Sequence, residues 1–421
     1  MDLEKINESY RPGWETALSV LQPAKKDLER GLELHRASFV CDAYGFSPFA
    51  GSWTGTGSRE VARAAAAGAS DAEIENLSGD LAATLSAEEE PVRLHYQEAW
   101  NFSGVTCIVQ NAGEEGSDIT RLMKRLAYYT YISDLMPDFV VKAGRPEDLP
   151  KAKKQGKRCF YLTGNGVPLP QRWVSVEEEL IYIRIFFQLG IRMMHLTYNR
   201  RNMIGDGCME KSNAGLSDFG RAVVREMNRA GVIVDVAHSG WQTSLEAAQV
   251  SGRPMVVSHS VCAGLNPHRR SKPDEVIRAV ADSGGFIGIC CLPAFLGGTG
   301  DISAFLDHID YVAKKFGVDH VAIGTDNAFI CERPEPEKKA VSEPEQKPGK
   351  RRPAFEWFWY PDDPMFAPEW NQPRQKLSLS WTNWPLFTVG LVQRGYSDLD
   401  IQKIIGGNVL RVAQAVWPQG S

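Results

Sequence analysis

Several signals that would assign this 421-residue sequence to a particular class of protein are missing. Its 8 cysteines are scattered and include no CxxC pair, which argues against a zinc ribbon or a disulfide framework. We therefore expect reduced thiols and a cytoplasmic location. No apolar run has the length of a membrane-spanning helix, and the N-terminus lacks a basic segment followed by an apolar one. The sequence thus predicts no association with a membrane.

The charge balance gives no sign of a nucleic-acid partner. The net charge is −5 and the isoelectric point is about 6.0, so the chain has no basic footprint. Two basic clusters, at 153–158 and 347–353, are short and have acidic neighbours, which indicates solvated surface. Hydrophobic residues make up 43% of the chain, enough for a sizeable core. We expect a globular protein whose partner is a small molecule.

Strand-like and helix-like segments alternate along the chain. Eight short apolar runs are continuous rather than alternating, which is typical of parallel strands covered on both faces. They span residues 37–45, 104–110, 158–164, 191–199, 231–239, 253–260, 284–292 and 319–327. Seven are followed by helical patterns, of which 175–190 and 217–231 open on Ser and close on Gly. This count predicts an α/β fold, a (β/α)8 barrel of the TIM type.

The whole chain, 1–421, is predicted to be one barrel domain with two additions. Residues 1–36 form an N-terminal helical extension, with a leading helix over 14–35. Residues 331–375 are rich in proline, first charged and then aromatic, and the short remainder of the chain leaves no room for a second domain. We interpret this segment as a long lid-like loop over the mouth of the barrel.

Aromatic residues of the lid-like loop are candidates for substrate binding. Trp357, Trp359 and Tyr360 would close over a substrate that has a ring or a hydrophobic body. Packing of the same residues against the barrel helices is the alternative.

Two histidines and an aspartate lie at the predicted carboxyl ends of strands, where barrels of this type carry their chemistry. His238 in "VDVAHSG" and His259 in "VVSHS" belong to neighbouring strands, and Asp326 ends the last strand. Two imidazoles and a carboxylate would bind zinc and leave one position open for water. Hydrogen-bonded polar residues at the barrel rim are the alternative.

Residues 213–289 resemble the renal or membrane dipeptidase family, peptidase family M19. The segments "DHVAIGTDNAF" (319–329) and "LVQRGYSDLDIQKIIGGNVLRV" (391–412) resemble it too, and the resemblance extends over about residues 37 to 417. It implies a distorted barrel of the amidohydrolase type with a binuclear zinc centre. It also implies hydrolysis of dipeptides and related small amides, and a homodimer.

The resemblance assigns roles to four residues of this sequence. His238 and His259 match the two histidines that share one zinc ion in the family. Asp326 matches the carboxylate that handles a proton near the metals, so we expect it to act as the general base. Arg270 matches the arginine that holds the substrate carboxylate, a task that suits a guanidinium fork.

Other family ligands are replaced. In "CDAYGF", Asp42 is kept, but Tyr44 and Phe46 stand where the family has a histidine and an aspartate that bind the other zinc. Thr163 stands near the position of the bridging glutamate, and Tyr198 replaces a catalytic histidine. Without a bridging carboxylate two zinc ions would repel each other at close range, so we expect at most one.

A single zinc ion would bind to His238 and His259. Asp42 points to the same side of its strand as the lost ligands and would be a third ligand. His195 is a further possible substitute, with a hydrogen-bonded core residue as the alternative.

Two classes of function follow from these residues. The first is an enzyme: a dipeptidase-like hydrolase with a reduced metal site or, without metal, an isomerase or lyase. The metal-free enzyme would use Tyr44, Tyr198, the two histidines His238 and His259, and Asp326. The second is a non-catalytic small-molecule-binding protein that kept the pocket and Arg270.

Overall fold

Eight parallel strands form a nearly closed barrel in the computed structural model, which describes residues 6–48, 55–69, 71–113, 117–329 and 358–418. With one further strand beside the barrel, the sheet of the described residues has nine strands: β1 (Cys41–Gly45), β2 (Cys107–Asn111), β3 (Val140–Lys142), β4 (Arg158–Gly164), β5 (Ile191–His195), β6 (Ile233–Asp235), β7 (Val256–Ser260), β8 (Phe286–Ile289) and β9 (Val321–Ile323). They follow the order β1-β2-β4-β5-β6-β7-β8-β9, and the short β3 pairs with β4 outside this path. The predicted (β/α)8 barrel is confirmed.

Helices surround the barrel and cover its strands. They are α1 (Arg11–Leu21), α2 (Lys25–Ala37), α3 (Gly55–Ala66), α4 (Asp71–Glu88), α5 (Glu90–Ser103), α6 (Ile119–Leu135), α7 (Asp148–Lys154), α8 (Val176–Gln188), α9 (Asp218–Ala230), α10 (Trp241–Val250), α11 (Asp274–Asp282), α12 (Pro293–Leu296) and α13 (Ile302–Phe316), followed by Pro373–Ser378, Trp384–Gln393, Asp398–Gln402 and Asn408–Val416. None of the described helices is long and apolar enough to cross a membrane.

The helix ends show why the local sequence predicts these elements. The Ser175 and Ser217 side chains accept hydrogen bonds from the backbone amides of Glu178 and Gly220, which caps α8 and α9. Gly231 ends α9 with a φ of 86°, a conformation that glycine adopts without steric cost.

The N-terminal extension differs from the single helix predicted over 14–35. It contains α1 and α2, separated at Gln22, whose φ is 44°. Pro23 follows directly, and since the residue before a proline avoids the α conformation, the helix ends there.

A seam without a regular ladder closes the barrel between β9 and β1. The backbone amide of Asp326 donates to the Tyr44 carbonyl at 3.0 Å. The backbone amide of Thr325 donates to Asp42 Oδ1 at 2.9 Å, and Trp381 Nε1 donates to Asp42 Oδ2 at 3.1 Å. We call Asp42, Tyr44, Thr325, Asp326 and Trp381 the closure seam.

The described part of the lid-like loop, 358–375, contacts segments that follow the carboxyl ends of β5 and β8. Phe358 packs edge-on against Tyr198, with ring centroids 5.0 Å apart. Trp359 is only 5% exposed and stacks on Phe295 at 6.0 Å. The Tyr360 hydroxyl donates to the carbonyl of Met209 at 3.0 Å. Most of the predicted loop, including Trp357, lies outside the described residues.

Candidate active site

Three ligand-type side chains meet where β5, β6 and β7 end. His195 and Asp235 are the last residues of their strands and are direct partners in the parallel register. His259 is the fourth residue of β7. All three side chains are fully buried, because the strands deliver them to the inside of the barrel. His238 lies three residues beyond β6 and is 4% exposed.

The two histidines predicted as metal ligands are in contact. His238 Nε2 and His259 Nε2 are 2.9 Å apart. His238 Nδ1 lies 2.7 Å from Asn199 Oδ1, and His259 Nδ1 lies 2.8 Å from Ser258 Oγ. An amide oxygen only accepts, so His238 carries its proton on Nδ1 and its Nε2 accepts from His259. The hydroxyl of Ser258 then donates to His259 Nδ1, which completes a chain of hydrogen bonds.

Both histidines are neutral in this arrangement. Burial lowers the pKa of His238 and of His259 well below the usual value, and the nearby positive charge of Arg270 lowers both further. Neutral imidazole is the form that binds metal ions and accepts protons.

Arg270 is buried beside the imidazoles. It is 1% exposed, and its Nη2 lies 3.4 Å from His238 Nε2 and 3.2 Å from the carbonyl of His259, to which it donates. Its Nη1 donates to the carbonyl of Ala237. The guanidinium group therefore faces the predicted metal ligands, and its Nε has no hydrogen-bond partner among the described residues.

Asp235 is ionised and in close contact with His195. Burial opposes its ionisation, but the His195 ring and the hydrogen bonds from Ser258 hold the pKa of Asp235 below the usual value. Asp235 Oδ1 accepts from the backbone amides of Ala237 and Ser258, at 2.9 and 3.0 Å. Oδ2 lies 2.6 Å from His195 Nε2, but neither atom has an aligned hydrogen-bond partner among the described residues.

His195, Asp235 and His259 each offer one ligand atom, and these atoms lie within 4.8 Å of one another. In the described part of the chain this is the group of His, Cys, Asp and Glu side chains that converges closely enough for a metal ion. His259 was predicted as a ligand and His195 as a possible substitute. Asp235 was missed, although it lies only three residues before His238 at the end of an apolar run.

Asp42, predicted as a further ligand, belongs to the closure seam. Oδ2 accepts from Thr325 Oγ1 at 2.5 Å and from Trp381 Nε1 at 3.1 Å, and Oδ1 accepts from the backbone amides of Thr325 and Tyr44 at 2.9 and 3.4 Å. Burial raises the pKa of Asp42 to about 7 in spite of these hydrogen bonds. The structure does not bring this carboxylate into the group that converges with His259.

Aromatic rings cover both imidazoles. Tyr44 stacks on His259 with centroids 3.8 Å apart, and Tyr198 stacks on His238 at 4.1 Å. The hydroxyl of Tyr44 donates to Asn165 Oδ1 at 2.6 Å. Asn165 also lines a cleft at the ends of β2 and β4.

The residues at the lost family positions do not fit a second metal ion. Phe46 has no ligand atom and packs on the edge of Tyr44 at 6.0 Å. The Thr163 hydroxyl donates to the carbonyl of Met193 at 3.1 Å. A carboxylate that could bridge two ions is therefore missing from both described positions.

The remaining predicted site residues make contacts of their own. Asp326 is half-buried just after β9 and has a φ of 51°, in the left-handed region. The guanidinium carbon of Arg200 lies 4.5 Å from the centroid of the Tyr360 ring, and Arg269 lies 5.2 Å from it. Tyr360 is thus surrounded by cations, and Trp359 is packed into the core.

A parallel α/β barrel with imidazoles at the ends of its strands defines the amidohydrolase-type class of barrels. A solved amidohydrolase from Pseudomonas aeruginosa aligns with 92% of this chain and 99% of its own, at 25% identity and a TM-score of 0.64. The fold is also shared with a metallo peptidase from Rhodobacter sphaeroides that was solved with a phosphinate mimic of the dipeptide L-Ala-D-Ala, at 13% identity and a TM-score of 0.61.

The sequence model of the membrane dipeptidase family, peptidase family M19, matches residues 85–335, more than half of the chain, and the protein belongs to this family. The dipeptidase tcpJ of Claviceps purpurea (strain 20.1) is 27% identical over 290 residues, or 68% of the chain. An uncharacterized dipeptidase of Schizosaccharomyces pombe is 35% identical over 150 residues, or 34% of the chain. The aligned parts cover 57% and 37% of the lengths of these two relatives.

Proposed function

We propose that the protein is a hydrolase of dipeptide-like small amides that uses at most one metal ion. The observation that carries the proposal is the pair of neutral imidazoles whose Nε2 atoms lie 2.9 Å apart at the strand ends. Membership of the M19 family and the dipeptidase relatives support the same class of substrate.

Nitrogen ligands for one zinc ion are present in this pocket. The sequence assigns them to His238 and His259, with Asp42 as a further ligand. A bound zinc ion would supply a water molecule with a pKa close to 7. The lost family positions offer no ligands for a second ion, since Phe46 and Thr163 fill two of them.

The other residues would bind the substrate and move protons. Asp326 would act as general base at the end of β9. The hydroxyl of Tyr44, oriented by Asn165, and that of Tyr198 would donate hydrogen bonds to the substrate. Arg270 would bind the substrate carboxylate, which requires exchange of its contacts with the carbonyls of Ala237 and His259.

Residues of the lid-like loop would shape the substrate pocket. We propose that Trp357, Trp359 and Tyr360 select a substrate with a hydrophobic body. Of these, Tyr360 is held by the carbonyl of Met209 and by Arg200. A homodimer and a cytoplasmic location stay predictions.

A dipeptide screen with a matched histidine control tests the proposal. We expect zinc-supplemented wild-type protein to hydrolyse at least one member of a panel of L,L and L,D dipeptides. In His238→Ala, kcat/KM should fall by about 1,000-fold or more, because the pair of imidazoles is broken and the buried donor to Asn199 is lost with it. His320→Ala is the control, since this ring precedes β9 and bonds to the carbonyl of Gly285, away from the strand ends. A screen without turnover that depends on His238 would contradict the proposal.

A metal-independent isomerase or lyase is the second candidate, and one observation favours it. The chain Ser258–His259–His238–Asn199 satisfies its hydrogen bonds without any metal ion. Such a chain suits proton transfer. Turnover of a small substrate that survives removal of metal by a chelator would support this candidate. A substrate analogue that binds without any turnover would support a binding protein instead.

A further inference from the structure

One part of the pocket holds buried ligand atoms whose hydrogen bonding is incomplete. His195 Nδ1 has no hydrogen-bond partner among the described residues, whereas His195 Nε2 and Asp235 Oδ2 contact each other as an ion pair at 2.6 Å without hydrogen-bond alignment. Both residues are completely buried, and leaving a buried polar atom such as His195 Nδ1 unpaired costs about 1–3 kcal/mol. By contrast, His238 Nε2 already accepts from His259 and lies 3.4 Å from the guanidinium of Arg270.

The contact between His195 and Asp235 brings two ligand-type groups to one point, where a shared ion would replace their direct contact. Their atoms approach to 2.6 Å, yet the lone pairs are not aligned with a donor as in a hydrogen bond. Asp235 Oδ1 is held by two backbone amides, which fixes the carboxylate and leaves Oδ2 directed at His195. A ligand fixed by backbone donors is typical of metal sites in proteins.

We propose that His195, Asp235 and His259 form a single site for a divalent transition-metal ion at the ends of β5, β6 and β7. The ion takes one nitrogen from each histidine and Oδ2 from Asp235, which leaves a fourth position open. The site differs from the sequence-based set of His238, His259 and Asp42 in two of its three ligands. Its role in hydrolysis rests on the proposed function, but its existence does not.

The proposed ligand set and the pair of His238 and His259 differ in charge. The proposed site includes the carboxylate of Asp235, whose negative charge would neutralise part of the charge of the ion. An ion on His238 and His259 would have no such carboxylate, because Asp42 is occupied by Thr325 and Trp381. It would also lie beside the positive charge of Arg270, 3.4 Å from His238 Nε2.

His238 becomes a positioning residue when the ion occupies the proposed site. Binding of an ion to His259 Nε2 requires this neutral ring to carry its proton on Nδ1, where Ser258 Oγ then accepts it, so the hydrogen bond from His259 to His238 is lost. His238 Nε2 then keeps Arg270 as its neighbour, and its Nδ1 proton remains bonded to Asn199.

Zinc and cobalt binding to three variants of the full chain tests the proposal. The protein is stripped with a chelator, the zinc content after reloading is measured by mass spectrometry, and the zinc affinity is measured by competition with a chromophoric chelator. His195→Gln and Asp235→Asn remove one proposed ligand each, and Asp235→Asn keeps the oxygen that accepts from the backbone. His238→Gln is the matched control.

We expect one equivalent of zinc in the wild type. Affinity should fall by about 100-fold or more in His195→Gln and Asp235→Asn, and change by less than about threefold in His238→Gln. The visible bands of the Co²⁺-loaded protein should shift in the first two variants and stay in place in the control. Circular dichroism checks folding, and if one variant does not fold, the cobalt spectrum of the other decides.

Wild-type protein that binds no zinc, or that binds two equivalents, would overturn the proposed site. The same holds if His238→Gln loses zinc as His195→Gln does. Failure of the proposed function is distinguishable, because it appears as zinc bound through His195 and Asp235 without any dipeptide turnover. If the protein hydrolyses a dipeptide and its zinc binding depends on His238 but not on His195, the proposed function stands and the proposed site is overturned.

Discussion

Opposite sides of the barrel hold a buried carboxylate in different surroundings. On the closure seam, Asp42 accepts hydrogen bonds from Thr325 and Trp381. At the ends of β5, β6 and β7, buried imidazoles and a carboxylate still converge, and two of them lack aligned partners. Both carboxylate oxygens of Asp42 thus accept hydrogen bonds, whereas ligand atoms of His195 and Asp235 do not have aligned hydrogen bonds.

The difference shows how the surroundings of a buried carboxylate decide what it can do. Such a carboxylate needs donors, because a buried charge without partners is costly. Asp42 obtains them from residues that close the barrel, so it acts in stability. Asp235 obtains donors for one oxygen only, so its second oxygen remains available for chemistry.

Replacing Asp42 should have the largest effect on stability. Asp42→Ala leaves the buried donors of Thr325 and Trp381 unpaired, so we expect the free energy of unfolding to fall by about 4 kcal/mol. His238→Ala, at the other region, should cost about 1–2 kcal/mol because it removes one ring at the rim of the core. Urea unfolding followed by fluorescence measures both. Equal losses of unfolding free energy in Asp42→Ala and His238→Ala would show that the two regions contribute equally to stability.

The pH dependence of stability should reveal Asp42 directly. Burial raises its pKa to about 7, so the folded state binds this proton more tightly than the unfolded state. The contribution of Asp42 to the free energy of unfolding is therefore complete below about pH 4 and declines as the pH rises to about 7, by on the order of 3 kcal/mol. Asp42→Asn does not titrate and should lack this decline.

Buried neutral histidines add a contribution to the free energy of unfolding that rises with pH over part of the same range. The quantity to measure is therefore the difference in unfolding free energy between wild type and Asp42→Asn at pH 4.5, 5.5, 6.5 and 7.5. A difference that is constant over these values would contradict the assignment.

Lys272, next to the imidazole cluster, should show the reverse slope. Its Nζ is buried and donates to the carbonyl of Ser239 at 2.7 Å, and burial lowers its pKa to about 7. Above that pH the folded state holds fewer protons than the unfolded state, so stability rises with pH. We expect a gain of about 2 kcal/mol between pH 7 and 9 that Lys272→Met does not show. Parallel curves for wild type and Lys272→Met would rule out a neutral Lys272.

The sequence predicts the barrel. It also predicts the histidine cluster at the strand ends better than the closure seam. Eight continuous apolar runs are enough to place the strands, and neighbouring strands bring His238 and His259 together. The contact between His195 and Asp235 depends on the register of β5 and β6, which periodicity does not reveal. The bond between Asp42 and Trp381 joins residues far apart in the chain, and no local pattern predicts it.

A smaller effect than at Asp42 should come from Asn199, which connects the imidazole cluster to the lid-like loop. Its Oδ1 accepts from His238 Nδ1, and its Nδ2 donates to the carbonyl of Phe358 at 3.2 Å. Its φ is 52°, so alanine adds backbone strain to the lost hydrogen bonds, whereas glycine does not. We expect Asn199→Ala to lower the unfolding free energy by about 2 kcal/mol and Asn199→Gly by about 1 kcal/mol.

Hydrogen exchange distinguishes loss of this connection from general loosening. In both Asn199 variants, amides of residues 358–366 should exchange faster, while those of β1 and β9 at the closure seam should not change. Because His238 also loses the acceptor that fixes its proton on Nδ1, dipeptide turnover should fall in both variants by a similar factor. A drop in turnover that appears in Asn199→Ala alone would assign the effect to backbone strain, and the two regions would then communicate through the chain rather than through the side chain of Asn199.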